Sequence, residues 1–462
     1  MSLKPLPLRA VRSFVGSVML LSLLLPFTGC RRPPAIDIPP EPKVEHLTIV
    51  TPHNEMIRSA FENAFSDWHH EKHGSYVQIR WVATGTPQCV QYVQEAGRPD
   101  FVPAGRPIPD VMFGGGPLDY QVIADQGLSR AVDLADVESD LPSAVMGTAT
   151  RDSENCWHSS ALSSFGILVA GKSCGQRGIA APASWEDLAD PRFYGWLAVA
   201  DPERSGSNRH CLIMIFQKYG WEEGWGLIMR IAANCRALVG GSDEVIHNVS
   251  AGNCLAGFCV NFNALRQIEQ RGTDVLAYVV PSDAGAITPD PVSVLTYALH
   301  PVIGERFARF CVGEAGQRTW GFKAEFRGGH NDTLFRYPIN PKFYAEHQDK
   351  LGVPDNPFEM STILPPDPEL ERKLTRIVGP LLLAACGDNH VALQRCWRKI
   401  IDAGMNEAAL AELLKPAMSE SEAYESGARY RQGGETAEAL MNDWSERFRR
   451  KYARVEAILE GS

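Results

Sequence analysis

The chain has 462 residues, with 55 acidic against 45 basic side chains and 44% hydrophobic residues. This composition excludes a disordered, collagen-like or multi-span membrane protein, and the length predicts about two or three domains. A net charge of -10 argues against nucleic acid as a partner, because binding of phosphate backbones requires a basic surface. Function is therefore expected to lie in pockets.

The first 30 residues have the order of an export signal. Lys4, Arg9 and Arg12 precede an apolar run at residues 14–27, and small residues then lead to Cys30. The run is too short to span a bilayer as a helix, so residues 1–29 are interpreted as a signal peptide. A cysteine at this point resembles the lipobox of bacterial lipoproteins, in which Cys30 would be lipidated. An ordinary signal peptide that leaves Cys30 free is the alternative.

Residues 30–45 are rich in proline and predict a tether between the lipid and the folded part of the chain. Ten further cysteines follow the tether, and none of them forms a C-x-x-C pair. Export to an oxidising compartment permits disulfides, so the presence of a bridge stays open.

Strands and helices alternate along the next part of the chain. Alternation of this kind favours mostly parallel, doubly wound sheets. Strands are predicted at residues 46–50, 77–82, 110–113, 164–170, 196–200, 237–240 and 255–260. Helices are predicted at residues 54–68, 88–95, 117–126, 208–219, 221–232, 243–251 and 263–270, and a capping box at residues 184–187 opens a further short helix.

Five strand-to-helix turns carry small or hydrogen-bonding residues. In an open α/β sheet such turns lie beyond the carboxyl ends of the strands, where ligands bind, and helix N-termini favour anionic groups. Helix capping alone is the alternative at each turn, since caps prefer the same residue types. The turns are residues 51–54, 84–86, 114–116, 205–208 and 240–242.

Several ordered segments carry a family resemblance, among them LTIVTPHNEMIRSAFENAF, DVMFGGGPLDY, APASWEDLADPRFYGWLAVADPERSGSN and VGGSDEVIHNVSAGN. The chain resembles the extracellular solute-binding proteins of ABC transporters, within the group that holds ferric-ion, thiamine, sugar-phosphate and phosphonate binders. The resemblance covers residues 46–345. It implies a two-lobe α/β fold of the type II periplasmic-binding-protein kind, with doubly wound sheets that close over a ligand around a hinge.

Placed on that pattern, lobe one comprises residues 46–155 and 283–345, and lobe two comprises residues 156–282. The chain would cross between them near residues 163–165 and 281–291. The resemblance implies that the lobe-one wall of the cleft holds His53, Asn54, Thr84, Gly85, Thr86, Gly114, Gly115 and Gly116. It implies that Ser164 lies at the first crossing and that lobe two supplies Ser205, Gly206, Ser207, Asn208, Ser242, Asn261 and Asn263. Asp290, at the second crossing, is interpreted as a ligand contact or as a turn residue, with the turn favoured.

One departure from the family bears on the ligand. Ferric-binding relatives supply adjacent tyrosines where this chain has Asn261, Phe262 and Asn263, so a bare ferric ion is disfavoured. Asparagine and serine donors suit oxygen-rich ligands, and charge near helix starts would favour phosphorylated or carboxylated molecules. The residues predicted to supply that charge are Arg204, Arg209 and His247, with exposure to solvent as the alternative for the two arginines.

Enzyme signatures are weak. Residues 69–73 read HHEKH, whose H-E-x-H spacing does not match the H-E-x-x-H of a zinc helix, so a solvated helix end is predicted. The sequence has no G-x-S-x-G elbow and no phosphate-binding P-loop. We therefore expect no enzyme activity, no cofactor and no metal.

Residues 350–462 lie outside the resemblance and predict a helical C-terminal extension. Apolar residues recur at helical spacing in residues 370–385, 391–403 and 407–414, and a charged segment spans residues 436–459. Packing of these helices on a lobe is the main interpretation. A docking surface for a partner is the alternative, since Trp397, Trp444 and Tyr452 would serve either role.

Together these features predict the substrate-binding component of an ABC importer, lipid-anchored at a bacterial membrane and facing the periplasm or the cell exterior. It would capture a small anionic or oxygen-rich solute by hinge closure and deliver it to the membrane permease. The alternatives are a binder of ferric iron or an iron complex, a solute-sensing receptor without a transport role, a periplasmic enzyme on the same fold and a structural lipoprotein.

Overall fold

The computed structural model describes residues 43–101, 103, 105–327, 332–387 and 389–461. The predicted signal peptide, Cys30 and residues 30–42 of the predicted tether lie outside the described residues. Within the described part of the chain, no helix is both long and apolar enough to cross a membrane.

Among the described residues, nine strands form one large sheet, and two short strands pair separately. The order in the large sheet is β2-β1-β3-β11-β6-β9-β7-β8, with β10 beside β6. The strands are β1 (Lys43–Thr51), β2 (Ser75–Ala83), β3 (Val111–Phe113), β4 (Ala144–Val145), β5 (Thr148–Ala149), β6 (His158–Val169), β7 (Leu197–Ala200), β8 (Cys235–Val239), β9 (Ala256–Val260), β10 (Ala277–Val279) and β11 (Ala286–Val294).

The sheet is mixed, so the prediction of a mostly parallel sheet is wrong at its centre. Strands β2, β1 and β3 on one side are parallel to one another, and so are β9, β7 and β8 on the other. The central strands β11 and β6 run antiparallel to each other and to the strands beside them. The reason is topological, because β6 carries the chain from one half of the protein to the other and β11 brings it back.

Seventeen α-helices lie in the described residues, and short 3-10 helices span Glu186–Ala189, Pro191–Phe193, Ala324–Phe326 and Gln348–Lys350. The α-helices are α1 (Glu55–His73), α2 (Thr86–Ala96), α3 (Pro117–Asp125), α4 (Ala135–Glu138), α5 (Gly171–Gln176), α6 (Gly206–Asn234), α7 (Ser242–Ser250), α8 (Asn261–Arg271), α9 (Pro301–Val312), α10 (Glu314–Gly321), α11 (Lys342–Glu346), α12 (Pro368–Leu374), α13 (Val378–Cys386), α14 (His390–Asp402), α15 (Glu407–Leu414), α16 (Glu420–Tyr430) and α17 (Gly434–Glu460).

Local sequence signals explain where several of these helices begin and break. Helix α6 is interrupted at Gly220, whose φ of 73° and ψ of -176° are not helical, so its two arms correspond to the two helices predicted there. The predicted capping box is confirmed, because the Asp187 N–H donates to Ser184 Oγ at 3.1 Å and the Ser184 N–H donates to Asp187 Oδ2 at 3.0 Å. The helix that this box opens is of the 3-10 type.

Two large groups of buried apolar residues form the core, one on each side of the sheet centre. The first includes Ile49 of β1 and Phe113 of β3, and the second includes Val199 of β7 and Phe258 of β9. Strand β6 contributes Leu162 to the first group and Phe165 to the second. Strand β11 contributes Ala286 to the second group and Ile287 to the first. Both strands therefore pass from one core to the other at the same level, close to the predicted crossings. The residue limits of the two lobes stay predictions.

The C-terminal helices extend the second core. Trp397, Trp444 and Tyr452 are at most 1% exposed and lie in the same buried group as residues of α6 and β9. The Trp397 indole N–H donates to Asn234 Oδ1 at 2.8 Å. Packing of the extension on a lobe is thus confirmed, and these three aromatic residues are part of its core. Helix α16 was not among the predicted helices.

Two further predictions concern cysteine and histidine. All ten described cysteines are free thiols, and all but Cys156 are buried. The prediction of a solvated helix end is wrong for His69, which is 0% exposed and contacts Ser75 O through Nδ1 at 2.8 Å. Strand β2 follows the helix so closely that it covers this face of α1. Among the described residues, no three His, Cys, Asp or Glu side chains are grouped for metal binding.

Candidate functional site

The predicted lobe-one turns meet at one edge of the sheet. They follow β1, β2 and β3, which are parallel neighbours, and helices α1, α2 and α3 start from them. The Thr84 N–H donates to Thr51 O at 3.0 Å, which ties the first two turns together. A Cβ on Gly115 would lie 2.9 Å from Thr86 Cγ2, so the third turn packs on the second. The structure thus brings His53, Asn54, Thr84, Gly85, Thr86, Gly114, Gly115 and Gly116 to one wall.

Backbone conformation explains the glycines of this wall. Gly114 and Gly115 have φ values of +91° and +117°, which L residues rarely adopt. A Cβ on Gly114 would lie 2.4 Å from His53 Nε2, so a side chain there would collide with the imidazole. Asn54 is exposed and caps α1, because its side chain accepts from the Ile57 N–H at 3.1 Å. Its capping role is therefore shown, and its contact with a ligand stays a prediction.

Lobe two repeats the arrangement with β9, β7 and β8, which are also parallel neighbours. Helices α6, α7 and α8 start after β7, β8 and β9 respectively. At the starts of α6 and α7, three hydroxyl groups converge, with Oγ–Oγ distances of 2.6 Å for Ser205 and Ser242, 3.0 Å for Ser207 and Ser242, and 3.3 Å for Ser205 and Ser207. We call these three residues the serine cluster. Ser205 is 4% exposed and caps α6, whereas Ser207 and Ser242 are only half-buried.

Three other predicted lobe-two and crossing residues already use their side chains inside the protein. Asn208 is 0% exposed, accepts from the Ala200 N–H at 2.9 Å and donates to Ser205 Oγ at 3.2 Å. Asn261 is also 0% exposed, accepts from the Ser164 N–H and donates to Phe335 O, both at 3.1 Å. The Ser164 hydroxyl lies 3.1 Å from the Tyr278 hydroxyl. These bonds hold the wall in place, and direct ligand contacts from these residues stay predictions.

Gly206 and Asn263 lie in the first turns of α6 and α8. Gly206 is exposed at the start of α6, and Asn263 is half-buried in α8. Both positions are on the wall defined by the three helix starts, and their contact with a ligand also stays a prediction.

A buried charged group forms the floor between the two walls. The Asp290 carboxylate lies 3.5 Å from His53 Nε2 and 3.1 Å from Arg336 Nη2. His53, Asp290 and Arg336 are 6%, 4% and 7% exposed. The favoured prediction of a turn residue is wrong for Asp290, because this residue lies within β11, at an irregularity in its pairing with β6. We call His53, Asp290 and Arg336 the floor triad.

The guanidinium of Arg336 links elements from both sides of the cleft. It lies 3.7 Å from the ring centroid of Phe262 in α8 and 5.5 Å from that of Trp320 in α10. It also donates to the hydroxyl of Ser163 in β6. Sequence reasoning missed Arg336, and the one signal for it was a lone basic residue within the apolar run of residues 334–339.

Several polar atoms of the floor triad have spare hydrogen-bonding capacity. Among the described residues, none is oriented to hydrogen bond with His53 Nε2, Arg336 Nε or either Asp290 carboxylate oxygen, although the ion-pair distances are short. Buried polar atoms are nearly always hydrogen-bonded, so these atoms mark a place for ligand or water oxygens. Burial lowers the pKa of His53 to about 4, against the opposing influence of Asp290. The imidazole is therefore neutral at pH 7 and offers one donor and one acceptor.

The three residues that were predicted to supply positive charge near helix starts differ in their exposure and position. Arg204 is exposed, as its alternative predicted. Arg209 is half-buried and donates to Pro202 O at 3.2 Å, so exposure to solvent is wrong for it. Burial lowers the pKa of Arg209, with opposing contributions from the nearby carboxylates of Glu203, Asp119 and Glu371. His247 lies in the last turn of α7, so its predicted place near a helix start is wrong.

Two surface grooves in the described residues lie outside this cleft. One, of about 960 Å³, is lined by Tyr278, Val280 and residues between 341 and 362, and the other, of about 610 Å³, by residues between 367 and 376. Neither groove contains a predicted site residue. The convergence of six helix starts and a charged floor therefore locates the candidate site better than the size of surface depressions does.

Solved structures with the same fold include two bacterial binding proteins. The periplasmic binding protein AfuA from Actinobacillus pleuropneumoniae, with fructose-6-phosphate bound, is 18% identical and superposes with a TM-score of 0.53, covering 72% of this chain and 97% of AfuA. Iron-bound HitA from Pseudomonas aeruginosa is 16% identical with a TM-score of 0.54, covering 71% of this chain and 99% of HitA. These likenesses confirm the predicted type II periplasmic-binding-protein fold, and helices α12 to α17 of this protein confirm the predicted C-terminal helical extension.

Curated relatives match a shorter stretch. The phosphoglycerate transport regulatory protein PgtC from Salmonella typhimurium is 27% identical over 158 residues, which are 34% of this chain. An uncharacterized protein from Haemophilus influenzae is 26% identical over 136 residues, which are 29% of this chain. The matches span 39% of the length of each of these relatives.

The family itself is shown by a longer match. Residues 108–349 fit the family model of the bacterial extracellular solute-binding proteins, which is more than half of the chain. That segment contains β3, the crossing strands, the serine cluster and the floor residues Asp290 and Arg336. The chain is therefore a member of the bacterial extracellular solute-binding protein family.

Proposed function

We propose that this solute-binding protein is the substrate-binding component of an ABC importer and captures a phosphorylated small molecule in the cleft between its lobes. The serine cluster carries the proposal. Its hydroxyl groups converge at the N-termini of α6 and α7, where backbone N–H groups and the helix dipoles favour an oxyanion. AfuA holds fructose-6-phosphate and PgtC is named for phosphoglycerate transport, and both names support a phosphorylated ligand.

The remaining parts of the site complete the recognition of such a ligand. The glycine-rich starts of α2 and α3 let the lobe-one backbone approach the ligand closely. The floor triad offers the Arg336 guanidinium as a donor and the Asp290 carboxylate as an acceptor for ligand hydroxyl groups. Because the ligand contacts both lobes only when they close, binding shifts the population toward the closed state.

Ferric iron is a poorer candidate. The position after β9 holds Asn261, Phe262 and Asn263, so the pair of phenols found in ferric-binding relatives is missing there. Ser164, whose N–H donates to Asn261, contacts the phenols of Tyr278 and Tyr337 through its hydroxyl, and burial raises the pKa of each phenol. A raised pKa opposes the phenolate form that binds a hard metal ion. The likeness to iron-bound HitA is as strong as that to AfuA, so the residues after β9 decide between the two kinds of ligand.

Substitution of the half-buried serines tests the phosphate site. Loss of one hydrogen bond to a charged group costs about 1.5–3 kcal/mol, so Ser207→Ala and Ser242→Ala should each weaken binding roughly 10- to 100-fold. Fructose 6-phosphate and 3-phosphoglycerate serve as probes in isothermal titration calorimetry, with Ser173→Ala in α5 as the control. Unchanged affinity of both cluster variants for a ligand that the unaltered protein binds would refute the phosphate site.

A sensing role is the second candidate. The relative PgtC is named a transport regulatory protein, which supports a receptor whose closed state is passed to a signalling partner. Ligand uptake by cells that lack this protein separates the roles, because loss of uptake supports import and retained uptake with a lost transcriptional response supports sensing.

A third role, as an enzyme, predicts consumption of the bound solute, which mass spectrometry of the incubated ligand detects.

Export and lipid anchoring through Cys30 complete the proposal. Radiolabelled palmitate should be incorporated into the full chain and should be lost from the Cys30→Ala variant. Unchanged labelling of that variant would refute the lipid anchor without affecting the ligand site.

A further inference from the structure

The C-terminal extension begins with a third passage between the two cores. Val353 and Ile363 lie in the first buried group, whereas Leu374 lies in the second, with Leu364 packed against it. Residues 362–364 pair with the chain beside β11, since the Gly285 N–H donates to Thr362 O at 3.0 Å and the Leu364 N–H donates to Gly285 O at 2.9 Å. This passage follows residue 349, where the match to the family model ends.

The passage delivers helix α12 to the side of α6. The Gln217 side-chain amide of α6 donates to Pro365 O at 2.6 Å. Asp367 then caps α12 by accepting from the N–H groups of Glu369 and Leu370 at 3.1 and 3.0 Å. Leu374, 0% exposed, anchors the end of α12 in the second core. The position of α12 is thus fixed at both ends.

Glu371 of α12 enters the candidate ligand site. Its carboxylate lies 3.3 Å from His210 Nδ1, and the two side chains are 20% and 19% exposed. His210 follows Ser207 by three residues on α6, so the two lie on neighbouring positions of one helix face. The His210 ring lies 4.5 Å from that of Phe165 on the crossing strand β6. Glu371 therefore contacts a residue that lies one helical turn from the serine cluster.

Glu371 interacts with charged groups of both α6 and α3. Burial raises the pKa of Glu371, but the hydrogen bond with His210 and the positive charges of His210 and Arg209 outweigh it and lower the pKa overall. Asp119 of α3, on the lobe-one wall, interacts electrostatically with both Arg209 and Glu371. The Glu371 carboxylate is thus paired with His210, and a second carboxyl group, that of Asp119, lies within electrostatic range of it.

We propose that Glu371 is a specificity-determining residue of the ligand cleft, which accepts a phosphorylated sugar or polyol and disfavours a ligand that carries a carboxylate beside its phosphate. The inference rests on the proposed function, since it assumes that the serine cluster holds the phosphate. A ligand carboxylate one turn away would meet Glu371 and Asp119, whereas a hydroxyl group there would donate to the Glu371 carboxylate.

Titration calorimetry with two probes tests the proposal. The probes are fructose 6-phosphate, which has one anionic group, and 3-phosphoglycerate, which has two. The proteins are the unaltered full chain, Glu371→Gln, and the control Glu369→Gln, whose carboxylate is on the same helix but 74% exposed. Removing one like charge at close range should strengthen 3-phosphoglycerate binding by Glu371→Gln roughly tenfold. The affinity of Glu371→Gln for fructose 6-phosphate should change less than about threefold. Glu369→Gln should show the same ratio of affinities for the two probes as the unaltered protein.

The possible outcomes separate this inference from the proposed function. A selective gain for 3-phosphoglycerate in Glu371→Gln supports the specificity role. Equal changes for both probes, or none, overturn the specificity role while leaving phosphate binding intact. Binding of neither probe by any of the proteins overturns both. Thermal melts verify folding, and Glu371→Ala repeats the test should the glutamine variant not fold.

Discussion

Replacing Asp290 by asparagine and Arg336 by methionine, singly and together, tests whether these side chains form a coupled buried ion pair. Their charged atoms are 3.1 Å apart, and the residues are 4% and 7% exposed. Removing one partner leaves the other charge buried without compensation, which costs about 3–5 kcal/mol of unfolding free energy. The double variant should lose less than the sum of the single losses, with a coupling energy of about 1–3 kcal/mol.

The exposed pair of Arg398 and Asp402 provides a matched control. Its charged atoms are also 3.1 Å apart, but its side chains are 57% and 58% exposed. Solvent screening should reduce the corresponding loss in Arg398→Met or Asp402→Asn to below about 1 kcal/mol.

Urea unfolding at 25 °C, followed by tryptophan fluorescence, measures these free energies. Trp320 lies 5.5 Å from the Arg336 guanidinium and reports on the first core. The two cores can unfold separately, so the transitions are fitted individually where two are seen. Losses below about 1 kcal/mol for both single floor variants, or strictly additive losses in the double variant, would refute the reasoning.

Three further predictions concern stability. Burial lowers the pKa of His53 from 6.5 to about 4, so the imidazole binds a proton less tightly in the folded state than in the unfolded state. The free energy of unfolding should therefore be highest above pH 6.5 and should fall toward pH 4. His53→Gln should remove about 3 kcal/mol of that fall, measured by urea unfolding at pH 7 and pH 4; an identical fall would contradict the assignment. Gly114→Ala should cost about 1–3 kcal/mol, because φ is +91° and the new Cβ would meet His53; an unchanged melting temperature would disprove the need for glycine. Trp397→Ala should cost about 3–5 kcal/mol, since this side chain is 0% exposed in the second core; a loss below about 1 kcal/mol would show that the extension adds little to that core.

Local pattern was enough to predict most strands and helices, because each depends on spacing within a few residues. Apolar spacing along residues 54–68 indicated α1, and the capping box at Ser184 indicated a helix start. The alternation of strands and helices also predicted that the turns at Gly85 and Gly115 lie close together, since the carboxyl ends of adjacent parallel strands meet at one edge of the sheet.

Features that depend on distant contacts were beyond local pattern. The antiparallel centre of the sheet arises from the pairing of Ser163 with Thr288 across the crossing strands. Arg336 reaches the site through contacts with Asp290 and Phe262, which no short motif records. Glu371 lies outside the family match, and it reaches α6 because the third passage pairs with Gly285 and then enters the second core.

The residues around the serine cluster also show what a sequence pattern does not predict. Ser205, Ser207 and Asn208 were predicted as equivalent ligand contacts, since a sequence does not distinguish a capping side chain from a free one. In the structure, Asn208 is fully buried and Ser205 caps α6, whereas Ser207 remains half-buried. Burial therefore ranks these candidates in a way that residue type alone does not.

The central claim is that the cleft binds a phosphorylated solute, and a thermal-shift screen tests it most directly. The protein, stripped of co-purified ligand, is screened against phosphorylated sugars, 3-phosphoglycerate, phosphonates, thiamine, polyamines, carboxylates and ferric complexes. A ligand at 100 times its dissociation constant should stabilise the fold by ~2.7 kcal/mol. The account predicts such a shift for at least one phosphorylated compound and none for ferric complexes. Stabilisation by ferric complexes alone, or by no compound in the panel, would contradict it.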